Sequence, residues 1–272
     1  MPTFGSLFAG IGGLDLGLER AGWTVRWQIE KDEFCRRVLA RHWPDVARYG
    51  DITTLDPERL EAVDLICGGF PCQPVSVAGK RLAQADHRWL WPEFSRIVRA
   101  LRPRLVLVEN VPGLLVRGFG DVVGDLAASG YDAEWDCVSA EAVGAPHIRD
   151  RVWLVAYAHE RHVDADEALR AGRDAARTPR ADMADTDGAR ELQPQGRKPI
   201  FQGCPAHGVV DWCGGASRDG SGGGADAQWR TEPDVGRVAH GVPARVDRLR
   251  GLGNAVVPQV AEWIGRRLIA LV

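Results

Sequence analysis

From Thr3 to about Ala158, short apolar runs alternate with amphipathic stretches. TFGSLFAG reads as a strand that ends in glycine, and LDLGLERAG as a helix stopped at Gly22. TVRWQIE predicts a second strand, DEFCRRVLARHW a second helix, and a third strand ends at Asp51 in GDI. VDLICGGF and RLVLVENV are continuous apolar runs of the kind that a buried parallel strand needs. Between them WPEFSRIVRALR reads as a helix with Pro92 in its first turn. GDVVGDLAASG predicts a helix, and EWDCVSA and RVWLVAYA two further strands. Strands alternating with helices predict an α/β fold with a doubly wound, mostly parallel sheet, whose ligands sit in loops at the strand C-termini.

The pattern breaks after His159. Residues 159–200 are rich in Ala, Arg and Asp, and SRDGSGGGADAQ (217–228) has linker composition. Such a stretch builds little core of its own. Regular structure is expected to resume near Trp229, and VVPQVAEWIGRRLIALV predicts an amphipathic helix that returns to the first lobe. The resulting division is residues 1–158 as the main domain, 159–246 as an irregular region and 247–272 as a C-terminal segment packed back on the main domain.

The 272 residues, 45% of them hydrophobic, suffice for one substantial core. A formal net charge of -3 gives no overall basic signature, so any nucleic-acid contact must come from a local patch. The six cysteines are scattered with no CxxC, and MPTFGSLFAG has no charged segment ahead of a long apolar run. No apolar run nears the ~20 residues of a membrane-spanning helix. A reduced, intracellular, cytoplasmic protein is the expectation.

Candidate chemistry gathers at the strand ends. FAGIGG opens the first helix, where glycines admit a ligand to the backbone and free N–H groups attract an anion. Glu30 and Asp51 follow at the ends of the next two strands, as in a nucleoside-cofactor site. The spacing is not GxGxxG, which disfavours a nicotinamide cofactor. A tight turn with two surface acids fits the same residues. Cys72, in the loop after LIC, is either a small packed side chain or a nucleophile, while Cys67 belongs to the buried run. Glu109 stands at the end of an apolar strand, where a carboxyl needs a role or a partner. Arg149 and Arg151, two apart, share one face of a strand; a solvated edge strand or an ion pair with Glu109 fits them equally.

FAGIGG, GGFPCQP, VENVPG, HIRDRVW and RLRGLGNAVVPQ occur in that order, and the chain resembles the DNA (cytosine-5)-methyltransferase family over residues 3–157 and 237–270. The resemblance implies a class I, Rossmann-like fold that uses S-adenosylmethionine and leaves S-adenosylhomocysteine. It implies a cofactor site at Phe8, Gly10, Ile11, Gly12, Glu30, Asp51, Ile52, Pro71, Leu90, Asn254 and Val256. It further implies that Cys72 adds to carbon 6 of a flipped-out cytosine. Glu109 would protonate ring N3, Arg149 would hold the base carbonyl, and Arg151 would support it. Gln73, Ser76, Lys80 and Arg88 would contact DNA from a loop over residues 73–91. Arg237 and Arg245 would do so from the target-recognition region at 159–246.

His147 stands where the family often has glutamine, and Trp89 where it often has glycine. The resemblance implies double-stranded DNA as partner, a monomer, a bacterial or phage origin and a possible cognate restriction endonuclease. Two other readings share the motifs: a transfer-RNA methyltransferase, and a non-catalytic DNA-binding module. Cys204, His207 and Cys213 supply only three ligands at unusual spacing, so no metal is expected.

Overall fold

The computed structural model describes residues 1–71, 89–159, 200–201 and 245–272. Strands β1 (Thr3–Leu7), β2 (Thr24–Ile29), β3 (Ala47–Tyr49), β4 (Leu65–Gly68) and β5 (Leu105–Asn110) are joined through helices α1 (Gly13–Arg20), α2 (Glu33–His42) and α3 (Trp91–Leu101). Helix α4 (Phe119–Ala128) leads to the antiparallel pair β6 (Tyr131–Ser139) and β7 (Asp150–Ala158). Helices α5 (Arg245–Asn254) and α6 (Pro258–Leu268) follow the intervening segment.

The sheet runs β3-β2-β1-β4-β5-β7-β6. The first five strands are parallel, whereas β7 is antiparallel to β5 and to β6. From β1 the chain winds outward to β3, then crosses back to β4 and winds the other way. The switch point therefore lies between β1 and β4, and it opens a crevice beyond their C-terminal ends. The predicted doubly wound, mostly parallel sheet is the one observed.

Period-two alternation assigns the two faces of the sheet. Leu65, Cys67, Leu105 and Leu107 face the layer of α1 and α6, together with Phe4, Leu18 and Ile264. Ile66, Val106 and Val108 face the layer of α3 and α4, with Phe94 and Ile97. Both runs are buried on both faces, which is why they read as continuously apolar.

The contact of α6 with α1 depends on two small residues. A Cβ on Gly17 would stand 2.4 Å from the Pro258 carbonyl, and one on Gly265 would stand 2.9 Å from Ala21 Cβ. The backbones therefore approach closely, and the Trp23 indole donates to the Gly265 carbonyl at 2.9 Å. Capping follows the sequence signals elsewhere: Asp32 accepts from the Cys35 amide to open α2, and Gly22 takes φ 100° just past α1.

Two boundaries differ from the sequence reading. RLRGLGN is helical in α5, although Gly251 and Gly253 lower its intrinsic propensity. A Cβ on Gly251 would approach Ile11 to 3.1 Å, so tertiary packing favours a glycine there despite its helical cost. Strand β7 begins at Asp150, so Arg149 lies one residue before it rather than within it.

Candidate active site

Strand β1 ends at Leu7, and the next residues turn sharply. Phe8 adopts φ 54°, a left-handed conformation uncommon outside glycine, and Gly10 and Gly12 adopt φ 57° and 85°. The two glycines serve different ends. A Cβ on Gly12 would lie 2.4 Å from the Trp43 ring, so this position is packed shut. Among the described residues nothing lies within 4 Å of a Cβ on Gly10, so that backbone faces a space they leave open. Glu30 fastens the turn, because its two carboxylate oxygens accept from the Gly10 and Asp32 amides, each at 2.7 Å. Every carboxylate oxygen retains a further lone pair for a ligand.

The open space is a cleft of about 370 Å³ whose walls include Ser6, Phe8, Gly10, Gly69, Glu109 and Asn254. It lies at the switch point, where a doubly wound sheet takes its ligands. Val256 also lines it, and its carbonyl would be 2.3 Å from a Cβ on Gly13, so the C-terminal segment lies directly against the start of α1. Asp51 stands beside Glu30, whose amide donates to the Tyr49 carbonyl at 3.0 Å. Lys31 meets Asp51 at 2.7 Å and Thr53 donates to its other oxygen. Lys31 and Thr53 hold the Asp51 carboxyl down at about 2. Ile52 is buried, and its carbonyl and that of Leu55 accept from Arg96 at 2.7 and 3.0 Å. Leu90 precedes α3 and accepts from the Phe94 amide.

Glu109 lies at the far side of the cleft, its side chain 12% exposed. Arg151 Nε meets its carboxylate at 3.0 Å. Burial pushes the Glu109 carboxyl up, against the pull of Arg151 and Arg149. Gly69 makes room for it, since a Cβ there would lie 2.6 Å from Glu109 Oε2. Glu109 also lines a second, small cavity with Arg149, Arg151, Trp153 and Val256. The two arginines thus reach one side, as their spacing predicts, but they do different things there. Arg149 donates to the carbonyls of Gly253 and Ala255 at 3.0 and 2.9 Å, on either side of Asn254. Its own charge is disfavoured by burial and by Arg151. Arg151, expected as the supporting residue, is the one on Glu109.

Cys72 lies outside the described residues, but its approach is well held. Gly68 packs beneath Leu7, and Asn110 Nδ2 donates to the Phe70 carbonyl at 3.0 Å, which joins the end of β4 to the end of β5. Pro71, exposed, is the last described residue before Cys72. The chain returns at Trp89, whose ring meets Phe70 edge-on with centroids 5.2 Å apart. Trp91 and Phe94 extend that aromatic cluster. The described thiols give a contrast: Cys35 is pushed up to about 12 and Cys137 to about 11, and burial raises Cys67 as well. None is poised to react as thiolate.

Gln73, Ser76, Lys80, Arg88 and Arg237 lie outside the described residues, as do Cys204, His207 and Cys213. Arg245 begins α5, and its side chain is likewise outside them. Arg250 on α5 is exposed and stands 3.9 Å from Asp32. Among the described residues, no His, Cys, Asp and Glu gather in a group able to hold a metal, and no helix is long and apolar enough to cross a membrane.

Two features escape sequence reading. Arg96 clamps the turn after β3; its only signal is a cation on the third turn-related position from Glu93, which usually means a surface pair. Asp15 is fully buried on α1, where it accepts from Ser6 at 3.1 Å and from Gln28 at 2.9 Å. Its one sequence signal is an acid flanked by the apolar residues Leu14 and Leu18 of a buried helix face.

Residues 2–193 match the C-5 cytosine-specific DNA methylase family. The Type II methyltransferase M.HgiCII of Herpetosiphon aurantiacus is 38% identical over 160 residues, covering 56% of this chain and 36% of that protein. The Type II methyltransferase M.NgoMIV of Neisseria gonorrhoeae is 36% identical over 157 residues, covering 56% of this chain and 50% of that protein. The chain therefore spans only between 36% and 50% of the length of these two relatives. The crystal structure of the S. pombe Dnmt2 methyltransferase superposes with a TM-score of 0.52 at 20% identity, over 61% of this chain and 55% of that one, a likeness of fold.

Proposed function

The chain belongs to the C-5 cytosine-specific DNA methylase family, and from that premise we propose that it transfers a methyl group from S-adenosylmethionine to carbon 5 of a cytosine in duplex DNA. The observation that supports this most is Glu109, a carboxyl raised by burial that fronts both the cleft and the arginine-lined cavity. A carboxyl whose protonated form is favoured by its surroundings suits the acid that a cytosine N3 needs.

The residues present fit the cofactor. Gly10 leaves the backbone open, Glu30 offers lone pairs to a ribose diol, and Asp51 and Ile52 lie beside it for an adenine edge. Phe8, Ile11, Gly12, Pro71, Leu90, Asn254 and Val256 complete the proposed site. When bound, S-adenosylmethionine supplies an electrophilic methyl group. Cys72, as thiolate, forms a bond to carbon 6 of the flipped-out base while Glu109 gives its proton to N3, which makes carbon 5 nucleophilic. After methylation, a base takes the carbon-5 proton as the sulfur–carbon bond breaks, which returns the thiolate, and N3 hands its proton back to the Glu109 carboxylate.

Arg151 orients Glu109 and supplies positive charge beside the base. Arg149 instead holds the turn that presents Asn254, so the direct role expected of it passes to its neighbour. Residues 1–158 and 247–272 would form the catalytic unit, and 159–246 would read the DNA, with Gln73, Ser76, Lys80, Arg88, Arg237 and Arg245 as contacts. The same reading carries a monomer acting in a bacterial cytoplasm, within a restriction-modification setting like that of Type II enzymes.

Duplex DNA, transfer RNA and duplex containing 5-fluorocytosine, each with labelled S-adenosylmethionine, test the proposal. Label is expected in the DNA, and the fluorinated duplex should form a denaturant-resistant adduct that Cys72→Ala abolishes. Label in transfer RNA alone would overturn the DNA substrate, and an adduct persisting in the variant would overturn the nucleophile.

A further inference from the structure

Asp15 is an acid with no visible structural need. It lies at zero exposure in the first turn of α1, between β1 and β2. Its partners, Ser6 and Gln28, are neutral, and no basic side chain pairs with it among the described residues. Gln28 Oε1 is buried without a hydrogen-bond partner there, so the network is not closed by the protein. A buried carboxyl without a cation is costly, and a neutral amide would pack as well. The other groups facing it add no positive charge: Glu19 follows one turn along α1, and Cys67 reaches the same Ser6 from β4.

What distinguishes the position is the cleft. Ser6 lines it, so the Asp15 carboxyl stands one side chain behind its wall. Accepting the cofactor reading above, on which this inference rests, that cleft takes a ligand whose donor and product forms differ by a unit of positive charge on sulfur. We propose that Asp15 is the buried counter-charge of the cleft, and that it shifts binding toward the sulfonium donor relative to the neutral thioether product. Within a poorly solvated wall, a fixed negative charge acts over a longer range than it would in water.

The sign of the pH dependence follows from burial. Desolvation pushes the Asp15 carboxyl up to about 6, although Gln28 and Ser6 pull it down. Below that value Asp15 is neutral and the preference is lost; above it the charge appears and the preference returns. A bound cation favours the ionised form, so donor binding near pH 6 releases a proton that product binding does not. Glu109 also faces the cleft with a raised carboxyl, so a variant is needed to separate the two.

Isothermal titration of the full chain with S-adenosylmethionine and S-adenosylhomocysteine, from about pH 5.5 to 7.5, tests the inference. The ratio of product Kd to donor Kd is expected to rise with pH through the titration of Asp15. Asp15→Asn should flatten that rise and lower the ratio near neutral pH by roughly tenfold, with product affinity little changed. A variant that weakens both ligands equally overturns the proposal, because that is what a merely structural residue would do. Should the variant not fold, the native chain decides: a pH-independent ratio with no excess proton release for the donor overturns it. Binding of neither ligand would sink the cofactor reading instead, a distinct outcome.

Discussion

The Arg151 guanidinium meets the Glu109 carboxylate at 3.0 Å, and both side chains are largely withdrawn from water. Arg151 favours the ionised form of Glu109, while burial favours the protonated form and has the larger effect. The two influences therefore oppose each other at a carboxyl placed to pass a proton. If Glu109 acts as the acid, kcat/KM falls as pH rises through its raised value. Arg151→Gln removes the opposing charge, so it should move that alkaline limb to higher pH while lowering the maximum roughly a hundredfold. A pH–rate profile of the two proteins checks both effects; an unmoved limb would show that Arg151 does not govern this proton.

Gly69→Ala should be damaging without any change of charge. Its Cβ would lie 2.6 Å from Glu109 Oε2, so the end of the Glu109 side chain must move aside from its place at the cleft. Turnover is expected to fall by roughly a hundredfold, as for a misplaced catalytic group, with the far-ultraviolet spectrum unchanged. Near-native turnover would mean that the carboxyl sits elsewhere during the reaction.

Arg149 should report on the cofactor rather than on the base. Its bonds to the Gly253 and Ala255 carbonyls hold the turn on which Asn254 enters the cleft. Arg149→Ala is expected to weaken S-adenosylmethionine binding by roughly tenfold and to speed amide exchange at residues 253–257. Arg149→Lys, which keeps a charged nitrogen donor on a differently shaped side chain, should restore part of the affinity. A loss confined to kcat would return Arg149 to the base.

Gly17→Ala tests the helix junction. The added methyl would meet the Pro258 carbonyl at 2.4 Å and Ala261 Cβ at 2.5 Å, in contact with backbone that cannot rotate away. A loss of about 2 kcal/mol is expected from overpacking, although alanine is the better helix former. Thermal denaturation would register it, and an unchanged or raised Tm would show that α6 can shift.

The sequence made the sheet legible because its central strands are buried on both faces. Leu65–Gly68 and Leu105–Asn110 could not be mistaken for half-exposed strands, and a carboxyl ending the second of them stood out. The division of labour between Arg149 and Arg151 was not legible. A spacing of two puts both on one side, but only the position of residues 253–255, more than a hundred places later, decides which one meets Glu109. Helix α5 was obscured by Gly251 and Gly253, whose propensity is overridden by close packing at Ile11. The burial of Asp15 was not legible either, because its surroundings come from Ser6 and Gln28 on two different strands.

The cleft has one further property, which comes from chain connectivity. Ser6, Phe8 and Gly10 form one wall, and Asn254 and Val256 form the other. The Trp23 indole and the Gly265 carbonyl, 242 positions apart, pin these walls together. The cleft is thus a seam between two remote stretches of polypeptide, and a ligand bound in it acts as a clasp on a very long loop. Such a clasp opposes separation of the two stretches, so saturating ligand should protect the seam most where the chain is otherwise free to part. A cut anywhere in the intervening 160–199 stretch should leave a two-piece complex that stays together while the clasp is in place and comes apart more readily once it is removed.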